Sequence, residues 1–178
     1  MLLRGGSSTD AAIATNAVLA ITSQYLCGMG GDLFALVHGP GDSAPATLNA
    51  SGRAGSGADP DRLRSEGHTH MPPSDDIRSV PVPGCVDGWL ALHERFGRMD
   101  LAEILDPARR LAEEGFPSTP GMAAAAPRVA NRPGGEDYLA AGEIRPGTII
   151  RRPGMARALD DIAARGRVGA PSLDDSSQ

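Results

Sequence analysis

The residue whose setting most suggests chemistry is Arg53. It stands in Ser51-Gly52-Arg53-Ala54-Gly55-Ser56-Gly57, among small neighbours. Such neighbours leave a guanidinium room to present its planar fork to a carboxylate through two charge-assisted hydrogen bonds. The other reading is a solvated loop arginine, and composition alone favours that one. The remaining candidates carry less. Cys27-Gly28-Met29-Gly30-Gly31-Asp32 invites a phosphate-loop reading, but it lacks the Lys-Ser/Thr of a Walker motif and precedes a strand where phosphate loops follow one. His68 and His70 lie in a polar stretch without partners at metal-ligand spacing. His93 falls on an apolar helix face, where a hydrogen-bonded core histidine is the commoner outcome. The pairs Asp75-Asp76, Glu113-Glu114 and Asp160-Asp161 are sequence neighbours, which do not face each other on a helix and make poor acid–base dyads. Neither a G-x-S-x-G elbow nor an S-x-x-K motif is present.

Elements must hold these residues in place. Ser8 to Leu26 predicts a long, mostly covered helix. Ser7-Ser8-Thr9-Asp10 has capping-box form, with Asp10 near the positive helix end. The polar pairs Ser8/Thr9, Thr15/Asn16 and Thr22/Ser23 recur every seven residues, a narrow polar stripe suited to a tight helix contact. The three glycines at 28, 30 and 31 predict an unusual backbone turn. Leu33-Phe34-Ala35-Leu36-Val37-His38 then reads as a buried strand, Gly39-Pro40-Gly41-Asp42 as a turn, and Ala46 to Ala50 as the returning strand of a hairpin. Arg53 is therefore expected just past a buried strand. Residues 61–79 read as polar, irregular and exposed.

Two amphipathic helices follow Val80-Pro81-Val82-Pro83-Gly84. In the first, Val86, Trp89, Leu90, His93 and Phe96 share a face. In the second, Leu101, Ile104, Leu105, Ala108, Leu111 and Ala112 fit the i, i+3, i+4, i+7 template. Asp100-Leu101-Ala102-Glu103 offers a capping box there. Pro107 would cost ~3 kcal/mol inside a continuous helix, so a break is expected, and Gly115 ends the run. Met155, Leu159, Ile162 and Ala163 mark a last helix with Pro153 near its start, and residues 166–178 read as a frayed tail.

Composition bounds the rest. The 178 residues carry 17 basic side chains, all arginine, against 22 acidic ones, for a net charge of −5. That balance argues against nucleic acid or an anionic membrane as partner. Glycine and proline fill 38 positions and alanine 27, while Phe, Tyr and Trp together supply only 6. The core is thus expected to be built from Ala, Leu, Val and Ile. Cys27 and Cys85 lie far apart and read as free buried thiols. No apolar run reaches the ~18 residues that span a bilayer, and no secretory leader is seen in these residues, so a cytoplasmic protein is expected unless a leader precedes Met1 in a longer, exported form.

Several segments together resemble the γ-glutamyltransferase family. Leu2-Leu3-Arg4-Gly5-Gly6 with Asp10-Ala11-Ala12-Ile13-Ala14 is similar to the family's "LRxGGxAxDAAVA" opening. Cys27 to Phe34 resembles "CGLGGDLF", Leu48 to Ala54 "LNGSGRAP", and Ser79 to Gly84 "SVxVPG". Asp106-Pro107-Ala108 through Leu111 to Pro117 resembles "xPAIRLAEEGFPV", and Pro153 to Leu159 "PdLARTL". The segments keep the family's order over residues 2 to about 165.

The resemblance implies an α/β (α+β), helix-rich chain carrying part of the αββα N-terminal nucleophile hydrolase fold, incomplete here. It implies γ-glutamyl transfer to, or hydrolysis of, glutathione-type γ-glutamyl amides. In the family a precursor cleaves itself, and the new N-terminal Thr of the small subunit attacks, its own α-amino group serving as base and backbone amides holding the oxyanion. Arg53 matches the family arginine that grips the substrate α-carboxylate. No catalytic residue, metal or cofactor is assigned to this chain. Residues 1–165 are read as a large-subunit segment and 166–178 as a divergent tail. The expected partners are a γ-glutamyl small molecule and the missing small subunit or remainder of the precursor, without which the chain should be inactive. Two alternatives keep the residues but change the role: a non-catalytic module that binds a carboxylate or complements a separate small subunit, and an acylase or amidase of the same superfamily. The glycines at 28–31 would form a buried approach to a scaffold strand, and Thr69-His70 only superficially echoes the family's nucleophile motif. Gln24-Tyr25 stands where many members have Pro-His, and Gly55 where the arginine motif has Pro.

Overall fold

The elements in chain order are α1 (Ser8–Thr22), β1 (Leu33–Val37), β2 (Ala46–Ala50), α2 (Pro60–Ser65), α3 (Cys85–Phe96), α4 (Leu101–Glu114), β3 (Phe116–Pro117), α5 (Pro120–Val129), α6 (Glu136–Ala140), β4 (Ile149–Ile150) and α7 (Pro153–Arg165). Single 3-10 turns lie at Leu2–Arg4 and Ile77–Ser79. The structure is a computed structural model, and it describes residues 1–72, 76–130, 132 and 134–166. The chain divides into a helical unit, Met1–Met29 with Trp89–Gln178, and a hairpin unit, Gly30–Gly88. The tail expected beyond residue 165 lies outside the described residues, apart from Gly166, whose N–H closes α7 on the Ile162 carbonyl.

In the helical unit the capping box of α1 is reciprocal. The Ser7 hydroxyl accepts from the Asp10 N–H at 3.1 Å, and the Asp10 carboxylate accepts from the Ser7 N–H at 2.7 Å. The helix stops at Thr22, short of the expected Leu26, and its cover is one-sided. Ile13, Ala17, Ala20 and Ile21 are buried, whereas Ala12, Thr15 and Leu19 face outward. Within the polar stripe Thr15 and Thr22 donate back to the Ala11 and Val18 carbonyls, and Asn16 reaches another helix, accepting from the Trp89 indole N–H at 2.8 Å.

Helix α4 packs against both α1 and α7. Leu101, Ile104, Leu105, Ala108 and Ala112 are its buried face, as the periodicity predicts, while Leu111 of the expected face is only half-buried. The expected break at Pro107 is absent, and the helix runs through it to Gly115. The proline deletes one N–H, but apolar side chains on both sides of it are buried, so breaking the helix would expose more than the missing bond costs. Asp100 sits at the N-cap without the expected side-chain bond. Helices α5 and α6, which the sequence reading leaves unassigned, start from a Thr119 cap on the Met122 N–H and from Gly135. The strand pair Phe116↔Ile150 and Pro117↔Ile149 closes the loop back to α7. Valine is missing from the buried core of the described residues, contrary to expectation, and Trp89 and Phe116 are its largest members. On α3 the buried apolar side chains are Cys85, Trp89, Leu90 and Leu92, with Asp87 also buried, so the covered face is rotated from the expected one.

In the hairpin unit β1 and β2 pair antiparallel from Leu33↔Ala50 to Val37↔Ala46. The strands form where expected, but they are not buried. Phe34 and Leu36 are 64% and 73% exposed on one face, while the other face is half-buried. The stretch expected to be irregular contains α2, capped by the Asp59 carboxylate on the N–H groups of Asp61 and Arg62 at 3.0 Å.

Candidate functional site

Arg53 lies in the hairpin unit, on the exposed loop three residues past the end of β2. The backbone leading to it is tightly held. Ala50, the last residue of β2, is buried, and Gly88 in the first turn of α3 fits against it, where a Cβ would come within 2.9 Å of the Ala50 Cβ. The Asn49 side chain accepts from the Ser51 N–H at 3.1 Å and starts the turn out of the strand. Gly52 has φ +84°, and a Cβ there would meet the Val82 carbonyl oxygen at 1.9 Å. Only glycine satisfies both demands. The Arg53 carbonyl then accepts from the Val82 N–H at 2.8 Å.

The stretch that supplies that donor is itself fixed. A Cβ on Gly84 would lie 2.2 Å from the Ala50 carbonyl oxygen. The N–H groups of Gly84 and Cys85 both donate to the Gly31 carbonyl at 3.0 Å. Segments far apart in sequence, around Gly31, Ala50–Arg53 and Val82–Cys85, thus interlock through main-chain atoms. Each segment is legible in the sequence by resemblance, but their contact is not. The signal available was the pair Gly52 and Gly84, one in each motif.

The glycine cluster differs from expectation in two respects. None of Gly28, Gly30 and Gly31 has a positive φ, and all three are exposed. The segment's contribution is the Gly31 carbonyl. His93 is hydrogen-bonded as expected, its Nε2 paired with the Met99 carbonyl at 2.8 Å. His70 pairs its Nδ1 with the Thr69 hydroxyl at 3.2 Å. Among the described residues no three His, Cys, Asp or Glu side chains gather as a metal site, and no helix is long and apolar enough to cross a membrane. Neither cysteine is in a disulfide; Cys85 is buried and Cys27 half-buried.

The acidic neighbours do not act as pairs. Glu113 bonds Arg109 and Glu114 bonds Arg110. Asp160 approaches Arg109, and Asp161 pairs with Arg165. Asp75 lies outside the described residues. Hydrogen bonds from the Arg78 guanidinium, and then from its N–H, hold Asp76 down at about 2. Arg78 also bonds Glu66, whose carboxyl it lowers with help from Arg62. These contacts tie Arg62 and Glu66 to Asp76 and Arg78 on the surface.

A second polar cluster, absent from the sequence reading, sits in the helical unit. Arg152 donates from Nε to Asp137 at 2.9 Å and from Nη1 to Gln24, to which the Tyr138 hydroxyl also donates. The guanidinium lies 5.1 Å from the Tyr138 ring centroid. Burial pushes the Tyr138 hydroxyl up, with Arg152 opposing. The cluster edges a cavity of about 250 Å³. With its polar groups bonded to one another, it staples the chain past α1 to α6 and the start of α7.

Residues 1–170 match the family described as Gamma-glutamyltranspeptidase. The glutathione hydrolase-like YwrD proenzyme of Bacillus subtilis is 38% identical over 117 residues, covering 66% of this chain and 22% of that protein. The oxamate amidohydrolase proenzyme of Klebsiella pneumoniae is 33% identical over 177 residues, covering 93% of this chain and 33% of its own. The cephalosporin acylase of Bacillus halodurans superposes with a TM-score of 0.80 at 33% identity, covering 94% of this chain and 34% of that one. The fold is therefore part of the N-terminal nucleophile hydrolase fold, helix-rich with small sheets. The chain spans about a fifth to a third of the length of these curated relatives.

Proposed function

Because this chain belongs to the gamma-glutamyltranspeptidase family, we propose that it is the carboxylate-gripping portion of a γ-glutamyl hydrolase or transferase. Arg53 binds the α-carboxylate of the γ-glutamyl group, and the attacking threonine belongs to polypeptide outside this chain. The observation that carries the reading is the interlocked backbone around Arg53, which holds an exposed arginine at a defined place beyond a strand. A fork held in this way can meet a planar carboxylate with two parallel bonds.

The completing polypeptide covers the open face of the hairpin. Phe34 and Leu36 are 64% and 73% exposed, and burying what remains of them is worth roughly 1–2 kcal/mol each. The two relatives described above are named proenzymes, in keeping with a chain that works together with further polypeptide. The chain expressed with that polypeptide should hydrolyse γ-glutamyl-p-nitroanilide, and the 178-residue chain alone should not. Turnover by the isolated chain well above background overturns the reading.

The likeness to an oxamate amidohydrolase and a cephalosporin acylase favours a second reading, in which the same fold hydrolyses a different carboxylate-bearing amide. A panel of γ-glutamyl and other acyl amides separates the two by relative kcat/KM.

A further inference from the structure

We propose that the main-chain N–H of Val82 is a positioning group for Arg53, acting through the Arg53 carbonyl. The inference rests on the carboxylate-binding reading of Arg53. Downstream, a Cβ built on Gly55 or Gly57 meets no atom within 4 Å among the described residues. Upstream, the Gly52 backbone lies against the Val82 carbonyl, and the Val82 N–H bonds the Arg53 carbonyl at 2.8 Å. Fixing that carbonyl fixes the peptide plane from which the side chain departs.

The strap is specialised for this single bond. Pro81 and Pro83 flank Val82 and have no N–H, so Val82 is the only donor that stretch can offer. Val82 itself is 44% exposed. Gly84 and Cys85 anchor the strap on the Gly31 carbonyl, independently of Arg53. The strap can therefore stay in place while the one bond to Arg53 is deleted.

Val82→Pro deletes it. In the assembled protein, this chain with the polypeptide that completes it, Val82→Pro should raise KM for γ-glutamyl-p-nitroanilide by ~5- to 30-fold, with kcat held within about 3-fold. Combined with Arg53→Ala it should add less than about 2-fold, because the group it positions is gone. An amide-to-ester replacement at Val82, which removes only the N–H, gives the same result if the proline variant folds poorly. An equal KM rise with and without Arg53 overturns the inference, as does an unchanged KM. If Arg53→Ala alone leaves KM unchanged, the carboxylate reading has failed and this inference falls with it.

Discussion

Asp10 clamps the start of α1 to the turn before α4, and removing its carboxylate should loosen the helical unit measurably. The side chain is fully buried. It accepts from the Ser7 N–H at 2.7 Å and from the Arg98 N–H at 3.1 and 3.2 Å, one distance to each oxygen. Asp10→Ala removes the first-turn charge at the positive end of α1, at ~0.3–1 kcal/mol, while the Ser7 hydroxyl can still accept from the N–H of residue 10. It also leaves two backbone donors without their partner, at ~1–3 kcal/mol each where water cannot reach. Because Ser7 is only half-buried, water recovers part of this, and about 3–5 kcal/mol is expected. For a protein of this size that is a fall in Tm of roughly 6–20 °C. Asp10→Asn keeps the shape but turns an amide N–H₂ toward a donor, and should cost about 2–3 kcal/mol. The pH dependence gives an internal check. Burial pushes the Asp10 carboxyl up, but hydrogen bonds from Ser7, Arg98 and Met99 outweigh it and leave it below its usual 3.8. The carboxylate's contribution is therefore complete above that value and lost as pH falls through the folded value. Urea unfolding of wild type and Asp10→Asn from pH 7 downward should show a gap that closes in acid. A cost below ~1 kcal/mol for Asp10→Ala, or a gap independent of pH, refutes the clamp.

Gly52→Ala must accommodate a Cβ 1.9 Å from the Val82 carbonyl oxygen at φ +84°, and should cost about 2–5 kcal/mol in urea unfolding. Pro107→Ala restores an N–H inside the continuous helix α4, and should stabilise by ~2 kcal/mol after the looser unfolded chain is counted. Arg78→Ala should raise the Asp76 carboxyl from about 2 toward its ordinary value but not all the way to it, because the N–H of residue 78 still donates, as followed by carboxyl NMR. Because that contact is exposed, the melting temperature should hardly move.

What the sequence made legible was local. The capping box at Ser7 and Asp10, the buried face of α4 and the hairpin at residues 33–50 each follow from a short pattern with one physical cause. What it concealed depended on neighbours remote in the chain. Pro107 reads as a breaker until Ile104, Leu105, Ala108 and Ala112 are seen buried on both sides of it. Leu33 to Val37 reads as a buried strand because an apolar run looks the same whether this chain or another covers it. The glycines at 28–31 suggest a strained turn, but the strain lies at Gly52 instead. For the site, spacing isolates Arg53 as a lone cation, and resemblance gives it a role. The Val82 bond that holds it joins residues 29 positions apart and leaves no periodic trace.

The most direct test of the central claim is KM for γ-glutamyl-p-nitroanilide in the assembled protein, compared between wild type, Arg53→Lys and Arg53→Ala. A carboxylate held by a two-pronged guanidinium should lose about 1.5–3 kcal/mol with alanine, or ~10- to 150-fold in KM. Lysine keeps the charge but not the fork, and should lose an intermediate amount, with kcat changing less than KM in both variants. An Arg53→Ala enzyme with wild-type KM would contradict the account.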